Sequence, residues 1–311
     1  MSAFDPPHGI GLGLAALGRP GYLNIGHGED LGEDRSVAAL RARAHEVLDA
    51  AYEGGVQAFD AARSYGLAEE FLGDWLRSRR PEGVTVSSKW GYVYTAGWRV
   101  DADPPEVKHH DVDTFRRQLA ETRERLGEWL ALYEIHSATP DSGVPEDDAV
   151  LAELAALRGS GLAIGVTASG TSQPETLARV LELGMFDAVQ VTWNLHERAA
   201  GPLLERAHDA GLVVYVKEAL ANGRLAGRAA PLELADAASA LGTTPDALAL
   251  AAVLARPWAR VVLSGAATIE ILLSNLAGAE VEWSDELEQR LAGLEEDSEE
   301  YWERRSALAW N

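Results

Sequence analysis

The chain has 311 residues, no cysteine and a formal net charge of -22. Such acidity excludes a nucleic-acid partner, whose phosphates need clustered cations, and serves solubility rather than recognition. The missing cysteines exclude disulfides, thiolate catalysis and thiolate metal sites. Met1 to His8 lacks a basic segment followed by an apolar one, and no apolar run approaches the ~18 residues of a membrane span, so a soluble cytoplasmic protein is expected.

Ile10 to Leu17 reads as a first strand, and 18–36 as a long loop rich in glycine and charge. An alternation follows. Helix 41–53, closed by Gly54-Gly55, leads to strand 56–60, and helix 67–80 leads to strand 84–88. After the aromatic loop 89–112 come helix 113–126, strand 130–135, helix 147–158 and strand 162–167. Pro174 opens helix 174–183, before strand 187–192, helix 201–210 and strand 212–217. Helical segments 232–241 and 245–255, strand 260–263, helix 268–277 and a further helix near 284–295 close the chain. Eight short, apolar, largely β-branched strands, each followed by a helix, predict parallel strands buried on both faces. No linker divides the chain. The expected fold is therefore one domain over 1–311: a (β/α)8 TIM barrel with long loops after its strands and an extra C-terminal helix.

Four ionisable groups fall at three consecutive strand ends. Asp60 and Tyr65 follow the second strand, Lys89 ends the third and His136 ends the fourth. Neighbouring strands lie about 5 Å apart, so these side chains can meet at one point. Together they suit proton exchange with a carbonyl or alcohol. A phenol is a weak acid, of pKa near 10, and a nearby ammonium lowers that value. Asp60 can hold the Lys89 ammonium, and His136 can donate to a substrate oxygen. None of these groups carries hydride, so a nicotinamide cofactor is required. His109-His110 lacks a convergent carboxylate motif, and no metal is expected.

Phe59-Asp60, Ser64-Tyr65-Gly66, Ala68-Glu69, Leu72-Gly73, Ser88-Lys89 and Ile135-His136 stand in the order and spacing of a known family. From about Gly11 to the C-terminal helix, the chain resembles the aldo-keto reductases, (β/α)8 barrels that use NADPH or NADH. The resemblance implies that Asp60, Tyr65, Lys89 and His136 are catalytic, with Tyr65 as general acid/base. It further implies cofactor contacts from Thr167, Ser169, Gln190, Leu220, Gly223, Gly265 and Asn275. Where such reductases carry an aromatic residue stacked on nicotinamide, this chain has Lys217 or Val216. No cation stands at 266–268 to meet the 2′-phosphate of NADPH, so Lys217 or Arg224 would have to supply charge, and the choice between NADP and NAD stays open.

Trp90, Tyr92, Tyr94, Trp98 and Trp193 are expected to wall a substrate site, with Tyr301, Trp302 and Trp310 either joining them or docking the last helix. Such walls suit a small sugar or an aromatic aldehyde. This arrangement, with Trp193-Asn194-Leu195, is similar to that of bacterial members like L-galactose dehydrogenase or pyridoxal reductase. A non-catalytic or regulatory barrel with weakened cofactor binding is the alternative, and a sugar isomerase or lyase a more distant one. Substrate, direction and oligomeric state are not encoded in any motif.

Overall fold

The structure is a computed structural model that describes residues 4–311. Eight parallel strands close into a barrel: β1 (Gly9–Gly13), β2 (Ala58–Asp60), β3 (Thr85–Trp90), β6 (Leu130–Ala138), β7 (Ala163–Ala168), β8 (Ala188–Thr192), β9 (Val213–Lys217) and β10 (Val261–Ser264). β1 pairs with both β2 and β10, which leaves no open edge. The loop after β3 holds a small antiparallel hairpin, β4 (Tyr92–Tyr94) with β5 (Glu106–Lys108), outside the barrel. The alternation read from the sequence thus gives the expected barrel.

The differences lie at element ends. α2 (Val37–Glu53) begins a turn before residue 41, because Ser36 Oγ accepts the Ala39 amide at 3.2 Å and caps it there. A short helix α1 (His27–Leu31) interrupts the first loop. β6 runs three residues beyond the expected 135. Its register against β7 shifts between Ile135 and Ala138, where Ser137 adopts a positive φ of 52°. Such a bulge bends a strand end and re-aims the side chain beside it, here His136. After α11 (Asp285–Leu291) comes a further helix, α12 (Ser298–Ser306), capped by Asp297.

Side chains alternate along each strand between barrel interior and helix layer. Ala58, Leu132, Ala163, Ala188, Tyr215, Val261 and Leu263 fill the interior as one apolar cluster. A larger core lies between strands and helices, and includes Phe59, Phe71, Trp75, Trp90 and Phe115. A separate cluster beneath the C-terminal region holds Leu225, Leu234, Leu291, Tyr301 and Trp302. Among the described residues no single helix is long and apolar enough to cross a membrane.

Candidate active site

The interior positions nearest the C-terminal mouth are polar. Asp60, Lys89 and His136 occupy them on β2, β3 and β6, and all three are buried. Lys89 Nζ pairs with Asp60 and donates to Ala61 O at 3.0 Å. Asp60 Oδ1 also accepts from Ser87 Oγ at 2.7 Å and Gln190 Nε2 at 3.2 Å. Tyr65 follows in the turn before α3 (Ala68–Arg79). That turn is pressed onto the β1 loop: a Cβ on Gly18 would fall 2.3 Å from Tyr65 O, and Leu67 N donates to Gly18 O at 2.8 Å. The ring of Tyr65 lies 5.0 Å from Lys89 Nζ and 5.4 Å, edge-on, from the His136 ring. The four expected catalytic residues therefore share one corner.

Arg19, not anticipated from the sequence, completes that corner. It is 2% exposed, with its guanidinium 5.0 Å from the Tyr65 ring, 5.2 Å from Tyr22 and 4.5 Å from Trp310. It pairs with Glu106 of the hairpin at 3.0 Å. A lone arginine after β1 carries no motif, and its partners come from residues 22, 65, 106 and 310.

Lowering of the phenol by Lys89 was expected, yet Tyr65 is pushed well above its ordinary value. Burial does most of this and the Asp60 carboxylate adds to it, while Arg19 pulls the other way. The lysine charge is already matched by Asp60. Burial, helped by Lys89 and Lys217, holds His136 well below the usual histidine range. The resting site thus presents a neutral phenol and a neutral imidazole. Ser64 Oγ lies 3.4 Å from His136 Nδ1, and a hydroxyl donating there leaves Nε2 as the N–H donor.

One cleft of about 670 Å3 contains this corner and continues along the ends of β7 to β10. Thr167, Ser169, Gln190, Lys217, Leu220, Gly223, Gly265 and Asn275, all expected at a cofactor, line it. Arg224 does not. Ala221 and Asn222 take positive φ, which turns the loop so that Asn222 and Gly223 face the cleft, while Arg224 pairs with Glu296 and covers the Tyr301 ring. Two further groups escaped the sequence reading. Glu218 lines the cleft paired with Arg305 of α12, which, with Lys217, brings its buried carboxyl down to about 2. Glu134 lies on the interior face of β6, one step below His136.

The expected aromatic wall is absent. Neighbours on a strand face opposite ways, so with Lys89 inside, Trp90 packs outward against Phe115 at 5.0 Å. The same parity after Gln190 and Thr192 sends Trp193 against Trp258 at 5.5 Å. Trp98 donates to Arg35 O at 2.8 Å, away from the cleft. Tyr92 backs His136 at 4.8 Å without lining the cavity, and Tyr94 does not line it either. Tyr301 and Trp302 dock α12, and Trp310 stacks on Arg19.

Gln190 Nε2 bridges Asp60 and Glu134, reaching Glu134 Oε2 at 3.1 Å. Burial, reinforced by Asp60, pushes the Glu134 carboxyl up to about 8 against the pull of Lys89 and Lys217. Between its ordinary value and about 8, folded protein keeps a proton that the unfolded chain has released. Stability must fall as pH rises through that window. Glu134→Gln removes this loss. Urea unfolding should show near-equal stability at about pH 5 and a gain of roughly 4–5 kcal/mol for the variant at about pH 9. Parallel pH dependences in the two proteins would contradict this protonation state.

Residues 10–296 match the family model described as Aldo/keto reductase family. The aldo-keto reductase str7 of Strobilurus tenacellus is 24% identical over 322 residues, covering 93% of this chain and 88% of that protein. The NADH-specific methylglyoxal reductase of Escherichia coli is 28% identical across 57% of this chain and 56% of its own. Among solved structures, an aldo/keto reductase from Klebsiella pneumoniae in complex with NADP and acetate superposes with a TM-score of 0.68 at 24% identity, over 92% of this chain and 90% of that one. With a barrel of this topology and a family model spanning nearly its whole length, the chain belongs to the aldo/keto reductase family.

Proposed function

We propose that this protein is a nicotinamide-dependent oxidoreductase acting on a small polyhydroxylated carbonyl compound or the corresponding alcohol. The observation that carries the reading is one cleft holding Tyr65, His136 and the Lys89–Asp60 pair together with the polar ends of β7 to β10. Its volume and length suit an extended ligand. Asn222, which lines it, leaves a buried Oδ1 without a partner, an acceptor for a bound group. Gly265 leaves open space where a Cβ would stand. Thr167, Ser169, Gln190, Leu220, Gly223, Gly265 and Asn275 would hold the cofactor, which supplies hydride when bound.

The protein's own part is proton handling. His136 donates through Nε2 to the carbonyl oxygen and orients it. Tyr65 gives its phenolic proton as the oxygen gains charge, and Lys89 and Arg19 stabilise the phenolate left behind. In the reverse direction the phenolate takes the alcohol proton. Lys89 keeps its position through Asp60 and Ala61 O.

The lining also speaks to the partners. Near Tyr65 the cleft offers paired charges, Arg19–Glu106 and Glu218–Arg305, the hydroxyls of Ser137 and Ser169 and the Tyr22 phenol, with no tryptophan in its lining. These groups exchange hydrogen bonds with sugar hydroxyls and favour an aldose over an aromatic aldehyde. The remaining charged side chains of the lining are Glu29, Asp30, Asp246 and Glu270 against Lys217 and Arg228. That balance disfavours a 2′-phosphate, so no strong preference for NADPH is expected.

Fluorescence titration with NADH and NADPH, followed by turnover on aldoses and aromatic aldehydes, tests these points. Comparable binding of both cofactors and faster turnover of sugars are expected. A hundredfold preference for NADPH, or better turnover of aromatic aldehydes, would overturn the corresponding part. No nicotinamide binding at millimolar concentration would favour a regulatory barrel instead.

A further inference from the structure

Lysine occupies only three positions of the chain, 89, 108 and 217; apart from histidine, every other cationic side chain is arginine. All three lie at the C-terminal mouth of the barrel. Lys89 is paired with Asp60, and Lys108 donates to Ser137 O at 3.0 Å from outside the cleft lining. Lys217 is held differently. Its ammonium lines the cleft and donates to two neutral hydroxyls, Ser169 Oγ at 2.9 Å and Thr192 Oγ1 at 3.2 Å. Ser169 Oγ in turn meets Ser137 Oγ at 3.2 Å, next to His136 in the chain. A hydrogen-bonded path of three side chains therefore links Lys217 to the residue beside the proposed oxygen site.

The surrounding charges do not cancel Lys217. From β2 and β3, Asp60 is matched by Lys89; after β9, Glu218 is matched by Arg305 of α12. On β6, His136 is held neutral and Glu134 protonated below about 8. One positive charge is left over on the cleft floor.

We propose that Lys217 makes the cleft bind the reduced nicotinamide cofactor in preference to the oxidised one. The inference rests on the nicotinamide reading above. The oxidised ring is a cation and the reduced ring is neutral. A fixed ammonium on the floor of a partly water-excluded site repels the first and leaves the second alone. Hydride must reach a carbon whose oxygen sits at Tyr65 and His136, which confines the ring to this end of the cleft. A floor that favours the reduced form poises the protein as a reductase.

Burial brings the Lys217 pKa down to about 8. Discrimination is therefore complete well below that pH and fades as the proton leaves. Ionisation of Glu134 moves it the same way, so substitution is needed to assign the effect. The full-length protein is titrated with NADH and NAD at about pH 6.5 and about pH 9.5, with affinities read from protein fluorescence, as wild type, Lys217→Met and Lys217→Arg. Wild type at the lower pH should bind NADH at least about tenfold more tightly than NAD, and Lys217→Met should cut that ratio about tenfold by strengthening NAD binding. Lys217→Arg should retain most of the ratio.

An unchanged ratio in Lys217→Met, with both forms still bound, would overturn the inference alone. Failure of wild type to bind either form would overturn the nicotinamide reading with it. Should Lys217→Met not fold, Lys217→Gln takes its place, and an unchanged ratio in that variant overturns the proposal.

Discussion

Replacement of Tyr65 by Phe should leave the barrel and cofactor affinity intact and lower turnover by about 10^2- to 10^4-fold. The ring keeps its contacts with Arg19, Lys89 and His136, all made to its face or edge, so packing changes little. What is lost is the phenolic O–H proposed as the proton donor. In the proposed mechanism its high pKa would keep the proton in place until charge develops on the substrate oxygen, and Lys89 and Arg19 would stabilise the phenolate at that moment. His136 would still donate a hydrogen bond in the proposed mechanism, which sets the expected residual rate. Steady-state turnover and cofactor titration on the same sample separate the two effects. Wild-type kcat in the variant would remove Tyr65 from the mechanism.

The second large effect is on stability. Lys89→Met removes the ammonium that Asp60 pairs with in a buried layer, leaving a carboxylate 2% exposed with only Ser87 and Gln190 as donors. Breaking a buried pair from one side costs about 3–5 kcal/mol, because the surviving charge is stranded. Removing both charges relieves that penalty. Lys89→Met with Asp60→Asn should therefore recover most of the lost stability in urea unfolding while turnover remains low. If the double variant is no more stable than the single one, the pair is not what holds the two groups. If it regains turnover, neither charge supports the phenol.

Much of this site is legible in the chain itself, for a simple reason. An acid, a lysine and a histidine each close an apolar, β-branched run, and parallel strands bring consecutive ends to one rim. The barrel follows from the same alternation. Strand parity decides where the tryptophans go: the alternation that points Lys89 inward must point Trp90 outward, and Gln190 does the same to Trp193, so both serve the outer core. Arg224 was misplaced because two non-glycine residues, Ala221 and Asn222, adopt left-handed backbone that composition does not announce. Arg19 and Arg305 lie beyond any local pattern. Each gains its role from contacts with segments distant in sequence, as with Glu218 and Arg305, 87 residues apart. The phenol stands high because burial outweighs a lysine whose charge Asp60 already matches, and the burial of that ring is not written in the local spacing.

The most direct test of the account is a single turnover with reduced cofactor already bound, comparing the rate of hydride transfer to an aldose in wild type and Tyr65→Phe. Loss of the proton donor should slow that step by about a hundredfold or more while cofactor affinity is unchanged. Equal hydride-transfer rates in the two proteins would mean that the proton comes from elsewhere, and the role assigned to Tyr65 would be wrong.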